Sequence, residues 1–170
     1  GFILLAISGS SQDKFHLPST AVIYFVLIYI FSNLAAFGVA SVISERTGKE
    51  NIDDYKGLYK TNPFLSWILA LALFSLAGIP PTAGFFGKLF LITAGASDAA
   101  YWLILVAALN MIISLYYYLR VIRAVFMDKN DNPIEPLKLM APVKLGMLLC
   151  GAGIVLAGLL SWIYDYIHSL

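Results

Sequence analysis

The sequence predicts an all-α, polytopic transmembrane helix bundle with one discontinuous helix, and three observations carry that reading. The 170 residues are 60% hydrophobic and 12% charged, whereas an ordinary soluble domain is about 25% charged. The charges are gathered into short polar stretches that separate apolar runs long enough to cross a bilayer, for which about 20 residues suffice. One of those runs contains Ser75-Leu76-Ala77-Gly78-Ile79-Pro80-Pro81-Thr82-Ala83-Gly84-Phe85-Phe86-Gly87-Lys88, which sets two prolines, three glycines and a lysine inside an otherwise apolar segment. The formal net charge is +1 with no basic run, so nucleic acid is not an expected partner and the lipid bilayer is.

Residues 1–9 (GFILLAISG) are apolar but would cover only about 13 Å as a helix. They are expected to be a partial helix, the tail of a severed span in the C-terminal part of a larger membrane protein. A secretory signal peptide fits less well, because no basic region precedes the stretch and no cleavage site follows it. Residues 17–44 carry no charge, and Pro18-Ser19-Thr20 supplies the residues that start helices, which predicts the first complete span. The segment 45–62 holds Glu45, Arg46, Lys49, Glu50, Asp53, Asp54, Lys56 and Lys60 and reads as a solvated loop with room for a short surface helix. Asn62-Pro63 then offers an N-cap and a first-turn proline.

From residue 63 to 96 the only charge is Lys88, and one straight helix of that length would measure about 50 Å against a hydrocarbon core of about 30 Å. Two full spans do not fit either, so the stretch is predicted to be a single broken span. Pro80 and Pro81 lack amide donors and Gly78 is a good helix terminator, which locates the break between Gly78 and Thr82; Gly84 belongs to the same interrupted region. Ser97-Asp98 caps a further span over 99–121 that ends in Tyr116-Tyr117-Tyr118 beside Arg120 and Arg123, an interfacial anchor. A polar loop over 122–144 and a last span over 145–165 follow, with Trp162, Tyr164 and Tyr166 at the opposite interface. Residues 45–62 and 120–144 carry nine of the eleven Lys and Arg, so both loops are expected in the cytoplasm.

Irregular backbone inside a membrane must be satisfied by protein or water, because lipid offers no hydrogen-bond partners. Interrupted helices of this kind carry ion sites near mid-depth in transporters. Lys88, about two turns after the break, is expected there, where a charged side chain costs about 2.5–3.5 kcal/mol or more. Gly84, Gly87 and Ala83 keep the nearby surface small, so neighbouring helices can pack close and shield the amine from lipid. Desolvation disfavours the charged form of an amine, and a lysine so placed can load and release a proton. The alternative is a lysine that snorkels or rests on backbone carbonyls. Ser75, Thr82, Asn110 and Ser114, with Ser32, Asn33 and Thr93, can line a water path or serve interhelical packing. Cys150 reads as a small buried hydrophobe, and His16 and His168 as structural residues. No metal-ligand cluster, paired carboxylates or nucleotide-binding loop is present, so no cofactor or metal is expected on this chain. All ten Asp and Glu fall in loops or at span ends, so a relay through Lys88 needs partners beyond this chain.

The element SLAGIPPTAGFFGK, followed by LYYYLRV and preceded by Asn33-Leu34-Ala35-Ala36-Phe37-Gly38, resembles the antiporter-like, proton-translocating membrane subunits of bacterial NADH-quinone oxidoreductase (complex I), nearest to the subunit N group. The first element is shared with Mrp-type cation/proton antiporter subunits and membrane-bound hydrogenase subunits; the tyrosine run favours subunit N. The resemblance covers essentially the whole chain and implies the C-terminal part of such a subunit, with the second of two broken helices. It implies Lys88 as a proton-relay residue, with further relay residues on earlier helices that have no counterpart here. It also implies NADH, FMN and iron-sulfur clusters in partner subunits of the hydrophilic arm, quinone bound elsewhere, other membrane-arm subunits as neighbours, and a multi-pass location in the cell inner (cytoplasmic) membrane. The expected function is proton translocation driven by electron transfer from NADH to quinone in those partners. The alternatives are a subunit of a cation/proton antiporter or hydrogenase, and a structural membrane subunit with no proton transfer.

Overall fold

The computed structural model of the chain describes residues 16–80, 82–96 and 101–159. The expected partial helix over 1–9, Pro81, the Ser97-Asp98 cap and the end of the chain with Trp162, Tyr164, Tyr166 and His168 lie outside the described residues. In chain order the helices are α1 (His16–Thr47), a 3-10 turn (Ile52–Tyr55), α2 (Leu58–Thr61), α3 (Pro63–Ala77), α4 (Ala83–Ala96), α5 (Tyr101–Phe126) and α6 (Ala141–Leu159), with no strand among the described residues. Among the described residues three stretches, Val22–Thr47, Ile104–Phe126 and Ala141–Gly158, are long and apolar enough to cross a membrane, and Pro63–Ala77 is a shorter apolar helix. The fold is all-α and polytopic.

Helix ends and charge boundaries do not coincide. α1 runs on through Glu45 and Arg46, α5 runs on through Arg120 and Arg123, and α6 begins at Ala141, ahead of Lys144. An exposed charged side chain is compatible with a helical turn once that turn has left the apolar slab, so the first charge marks the edge of the membrane rather than the end of the helix.

The interrupted stretch consists of α3 and α4 laid against α1. Ile43 and Leu65 share one buried cluster, Ser32 meets Ser75, and Phe25 and Ile28 meet Gly87. The contacts therefore descend α1 while they ascend α3 and α4, so the two half-helices continue in one direction, antiparallel to α1. α6 runs with them: Gly151 sits against Ile68 and Gly153 against Phe31, and the Tyr24 hydroxyl donates to Ala157 O at 2.6 Å.

The break is closed by its own hydrogen bonds. Gly78 takes φ +80°, the left-handed conformation glycine adopts without steric cost. Its N–H donates to Ser75 O and Phe74 O at 3.0 Å, and Ile79 N–H donates to Phe74 O at 3.0 Å, the paired closure of a Schellman motif. Thr82 Oγ1 donates to Ile79 O at 2.7 Å, with Phe74 O at 3.4 Å. Gly84 has a different reason to be glycine: a Cβ there would collide with the Ser75 backbone carbonyl. The first turn of α4 thus passes in backbone contact with the last turn of α3.

The two loops rich in basic residues lie on one side and are sewn together. Asn62 occupies the N-cap position of α3, yet its side chain caps no helix N–H. It donates instead to Glu135 O at 3.0 Å and Ile134 O at 3.4 Å, and accepts Leu137 N–H at 2.8 Å. Lys49 Nζ reaches Asn132 O at 3.3 Å and Gly57 N–H donates to Ala124 O at 3.1 Å. The expected capping role of Asn62 gives way to these bonds, which serve backbone groups of the loop that an irregular segment cannot pair within itself as a helix does.

Substitutions at these positions have distinct expected outcomes. Asn62→Ala costs about 1–3 kcal/mol by leaving the Leu137 amide without its acceptor, read as faster hydrogen exchange at Leu137 and faster proteolysis between α5 and α6, with Asn62→Asp intermediate. Gly84→Ala costs about 1–3 kcal/mol through overpacking against the Ser75 carbonyl and lowers the thermal unfolding midpoint in detergent. Gly38→Ala, whose Cβ meets nothing within 4 Å, leaves that midpoint unchanged or slightly raised.

Candidate functional site

A helix leaves its last carbonyls without donors unless something replaces them. In α3 the Schellman bonds serve Phe74 and Ser75 but not Leu76. In a continuous helix Leu76 O would accept from the residue four positions on, which is Pro80, and proline has no N–H. The Lys88 amine fills that place, with Nζ donating to Leu76 O at 2.6 Å. Lys88 is 8% exposed, its stem packed beside Gly78, where a Cβ would meet Lys88 Cδ at 2.9 Å. The partial negative charge at the C-terminus of α3 faces the amine, so the break supplies both a specific acceptor and a favourable field for an ammonium.

The amine borders a cavity of about 150 Å³ lined by Tyr29, Ser32, Ser75, Ser114 and Tyr118 among others. A water needs about 10–15 Å³ on this measure and two to four polar partners, so the cavity has room and hydroxyls for several. Ser32 Oγ donates to Ser75 Oγ at 2.8 Å across the α1–α3 contact, fixing both hydroxyls on the cavity wall. A second cavity of about 270 Å³ shares Leu76 and Tyr118 with the first and carries Glu50 and Tyr55 at its loop-side end. Ser44 Oγ donates to the Glu50 carboxylate at 2.7 Å.

The expected site residues divide accordingly. Lys88, Ser75, Gly84 and Ser114 come together around the smaller cavity. Gly78 and Thr82 form the break itself, Pro80 is exposed beside it, and Pro81 lies outside the described residues. Asn110 is exposed on α5 and does not line the cavity. Sequence reasoning missed two contributors. Tyr118 belongs to the tyrosine run read as an anchor, but only Tyr116 and Tyr117 face outward, at 66% and 57% exposure, while Tyr118 lines both cavities. The Leu76 carbonyl was also legible in principle, from the proline four residues on. Among the described residues no group of His, Cys, Asp or Glu can hold a metal ion.

Known proteins are similar to this chain in sequence and fold. The model of the family described as NADH:quinone oxidoreductase/Mrp antiporter, transmembrane, matches residues 1–114. NADH-quinone oxidoreductase subunit N of Phocaeicola vulgatus is 44% identical over 99% of this chain and 35% of its own length. The subunit N of Azobacteroides pseudotrichonymphae is 43% identical over 100% of this chain and 35% of its own. NAD(P)H-quinone oxidoreductase subunit 2 of Synechococcus elongatus is 35% identical over 95% and 32%. A chain of respiratory complex I from Thermus thermophilus, solved with bound aureothin, superposes with a TM-score of 0.78 at 27% identity, over 95% of this chain and 35% of that one. The chain spans about a third of the length of these relatives. With three membrane-length helices and an interrupted one among the described residues, and a family match through residue 114, it is a multi-pass membrane protein that belongs to the NADH:quinone oxidoreductase/Mrp antiporter transmembrane family.

Proposed function

We propose that this chain is part of a proton-translocating membrane subunit of a respiratory NADH-quinone oxidoreductase in the cell inner membrane, with Lys88 as one intramembrane proton station. The observation that carries this reading is the buried Lys88 amine held at 2.6 Å on the Leu76 carbonyl, beside a hydroxyl-lined cavity. A static structural lysine needs the acceptor but has no use for the cavity. A relay needs both, because Nζ must give up its proton to something mobile and recover it. The Leu76 carbonyl and the α3 terminus hold the ammonium in place, the Ser32–Ser75 pair and the Ser114 side chain offer positions for water, and the small surface of Gly84 lets the two half-helices close around the amine. The relatives' names support redox-linked translocation over exchange of another cation.

On this reading no redox chemistry occurs on the chain. NADH, FMN, iron-sulfur clusters and quinone belong to partner subunits, and the remaining relay groups lie on other helices of the subunit or its membrane-arm neighbours. The joined loops carrying Arg46, Lys49, Lys56, Lys60, Arg120 and Arg123 face the cytoplasm by the excess of basic residues. The family also includes Mrp antiporters, which would use the same station without electron transfer. Co-purification with iron-sulfur subunits decides between the two.

The station is tested in the complete complex by protons translocated per electron. Lys88→Ala lowers flux through this station by about 100-fold or more, the range lost with a positioned proton-transfer group. Lys88→Arg keeps a donor for Leu76 O but cannot release its proton, since guanidinium stays charged in proteins; it is expected to assemble normally and translocate as poorly as the alanine variant. Wild-type stoichiometry in either variant overturns the relay role. Pro80→Ala returns an N–H that can compete for Leu76 O and is expected to reduce pumping with Lys88 intact.

A further inference from the structure

A groove of about 650 Å³ lies where α5 leaves the membrane on the side of the joined loops. Its polar lining is Lys56, Arg120 and Arg123 with Asp53 and Asp128, and Tyr116 stands at its membrane edge. Both carboxylates are engaged: Lys56 Nζ is 2.7 Å from Asp53 Oδ1, and Arg123 Nε is 3.4 Å from Asp128 Oδ1. Each pairing leaves donors over. The Arg123 contact uses Nε and leaves both terminal nitrogens, the ammonium of Lys56 has further protons, and Arg120 forms no ion pair among the described residues. Positive charges outnumber negative ones by one, and Arg120 and Arg123, three apart on a helix, face the same way.

The same face of α5 continues into the membrane as an apolar stripe. Leu105, Leu109, Ile112 and Tyr116 are 48%, 53%, 64% and 66% exposed, and their spacing of three and four residues aligns them with Arg120 and Arg123. Leu105 to Tyr116 covers about 16 Å of helix, close to one leaflet of a hydrocarbon core of about 30 Å.

We propose that this face binds an anionic glycerophospholipid, with its phosphate in the groove on Arg120, Arg123 and Lys56 and its acyl chains along Leu105, Leu109 and Ile112. Guanidinium groups suit this role because their planar donor fork matches phosphate oxygens, and the groove sits at the depth of the lipid phosphates, marked by Tyr116. A soluble phosphate compound would fill the polar end but leave the stripe unused. An acidic peptide would have to cover a leaflet's depth of aliphatic surface.

The test uses the complete complex in vesicles with photoactivatable phosphatidylglycerol, and phosphatidylcholine of the same chains as the comparison. The phosphatidylglycerol label is expected to map to residues 105–116 in clear excess over phosphatidylcholine. Arg120→Gln with Arg123→Gln lowers that labelling by about tenfold or more, since each variant removes a charge-assisted phosphate contact, while the double Lys variant retains most of it. Equal labelling by the two lipids, labelling indifferent to the double Gln variant, competition by glycerol phosphate as strong as by lipid, or no label because another subunit covers the face each overturns the proposal. The ratio between the lipids is read on the wild-type complex, so it stands even if a variant fails to assemble.

Discussion

Pro80 cannot donate a hydrogen bond, and the arrangement around Lys88 follows from that. The carbonyl of Leu76, four residues earlier, loses the donor a continuous helix would provide, at a depth where lipid cannot substitute. A buried acceptor left unserved costs about 1–3 kcal/mol, and a buried ammonium left unserved costs more. Each of these liabilities meets the other's need, and they are joined by one bond of 2.6 Å. The rest of the local structure serves that meeting. Gly78 turns the chain out of α3, Thr82 ties up the carbonyl of Ile79, and Gly84 allows α4 to lie close enough for Lys88 to reach back across the break.

A bond of this kind also suits a proton carrier better than a carboxylate partner would. A neutral carbonyl holds the amine in one place in either protonation state, so loss of the proton leaves no unpaired buried anion behind. The hydroxyls of Ser32, Ser75 and Ser114 are similarly neutral and can donate or accept as water reorients. On the basic side, the Asn62 side chain binds the distant loop through three hydrogen bonds. That stitching ties the start of α3 to the loop that follows α5.

Much of this was legible in the sequence, and the reasons are local. Proline and glycine act on their own turn, so the break could be located from residue types, and a lone lysine in an apolar run is conspicuous at any depth. Helix ends were less legible, because Arg120 and Arg123 report where the membrane stops while the helix continues to Phe126. Long-range choices were not legible. Three consecutive tyrosines point in three directions about 100° apart on a helix, and only packing against α1 and α3 selects Tyr118 for the inside. Asn62 has the residue type of a cap, but its partners lie 72 and 73 residues away, beyond any local rule. Ser32 meets Ser75, 43 residues away, through the packing of α1 on α3.

The central claim, that Lys88 exchanges its proton while remaining on the Leu76 carbonyl, is tested most directly by isotope-edited infrared difference spectroscopy of the complete complex. The spectra are taken between resting and turnover states, with labelled lysine nitrogen and labelled leucine carbonyl carbon. The account predicts paired changes, an ammonium band converting to an amine band together with a shift of one leucine carbonyl, and both absent in the Lys88→Ala complex. An ammonium signal that stays constant through turnover, or a lysine change with no accompanying leucine carbonyl shift, would contradict it.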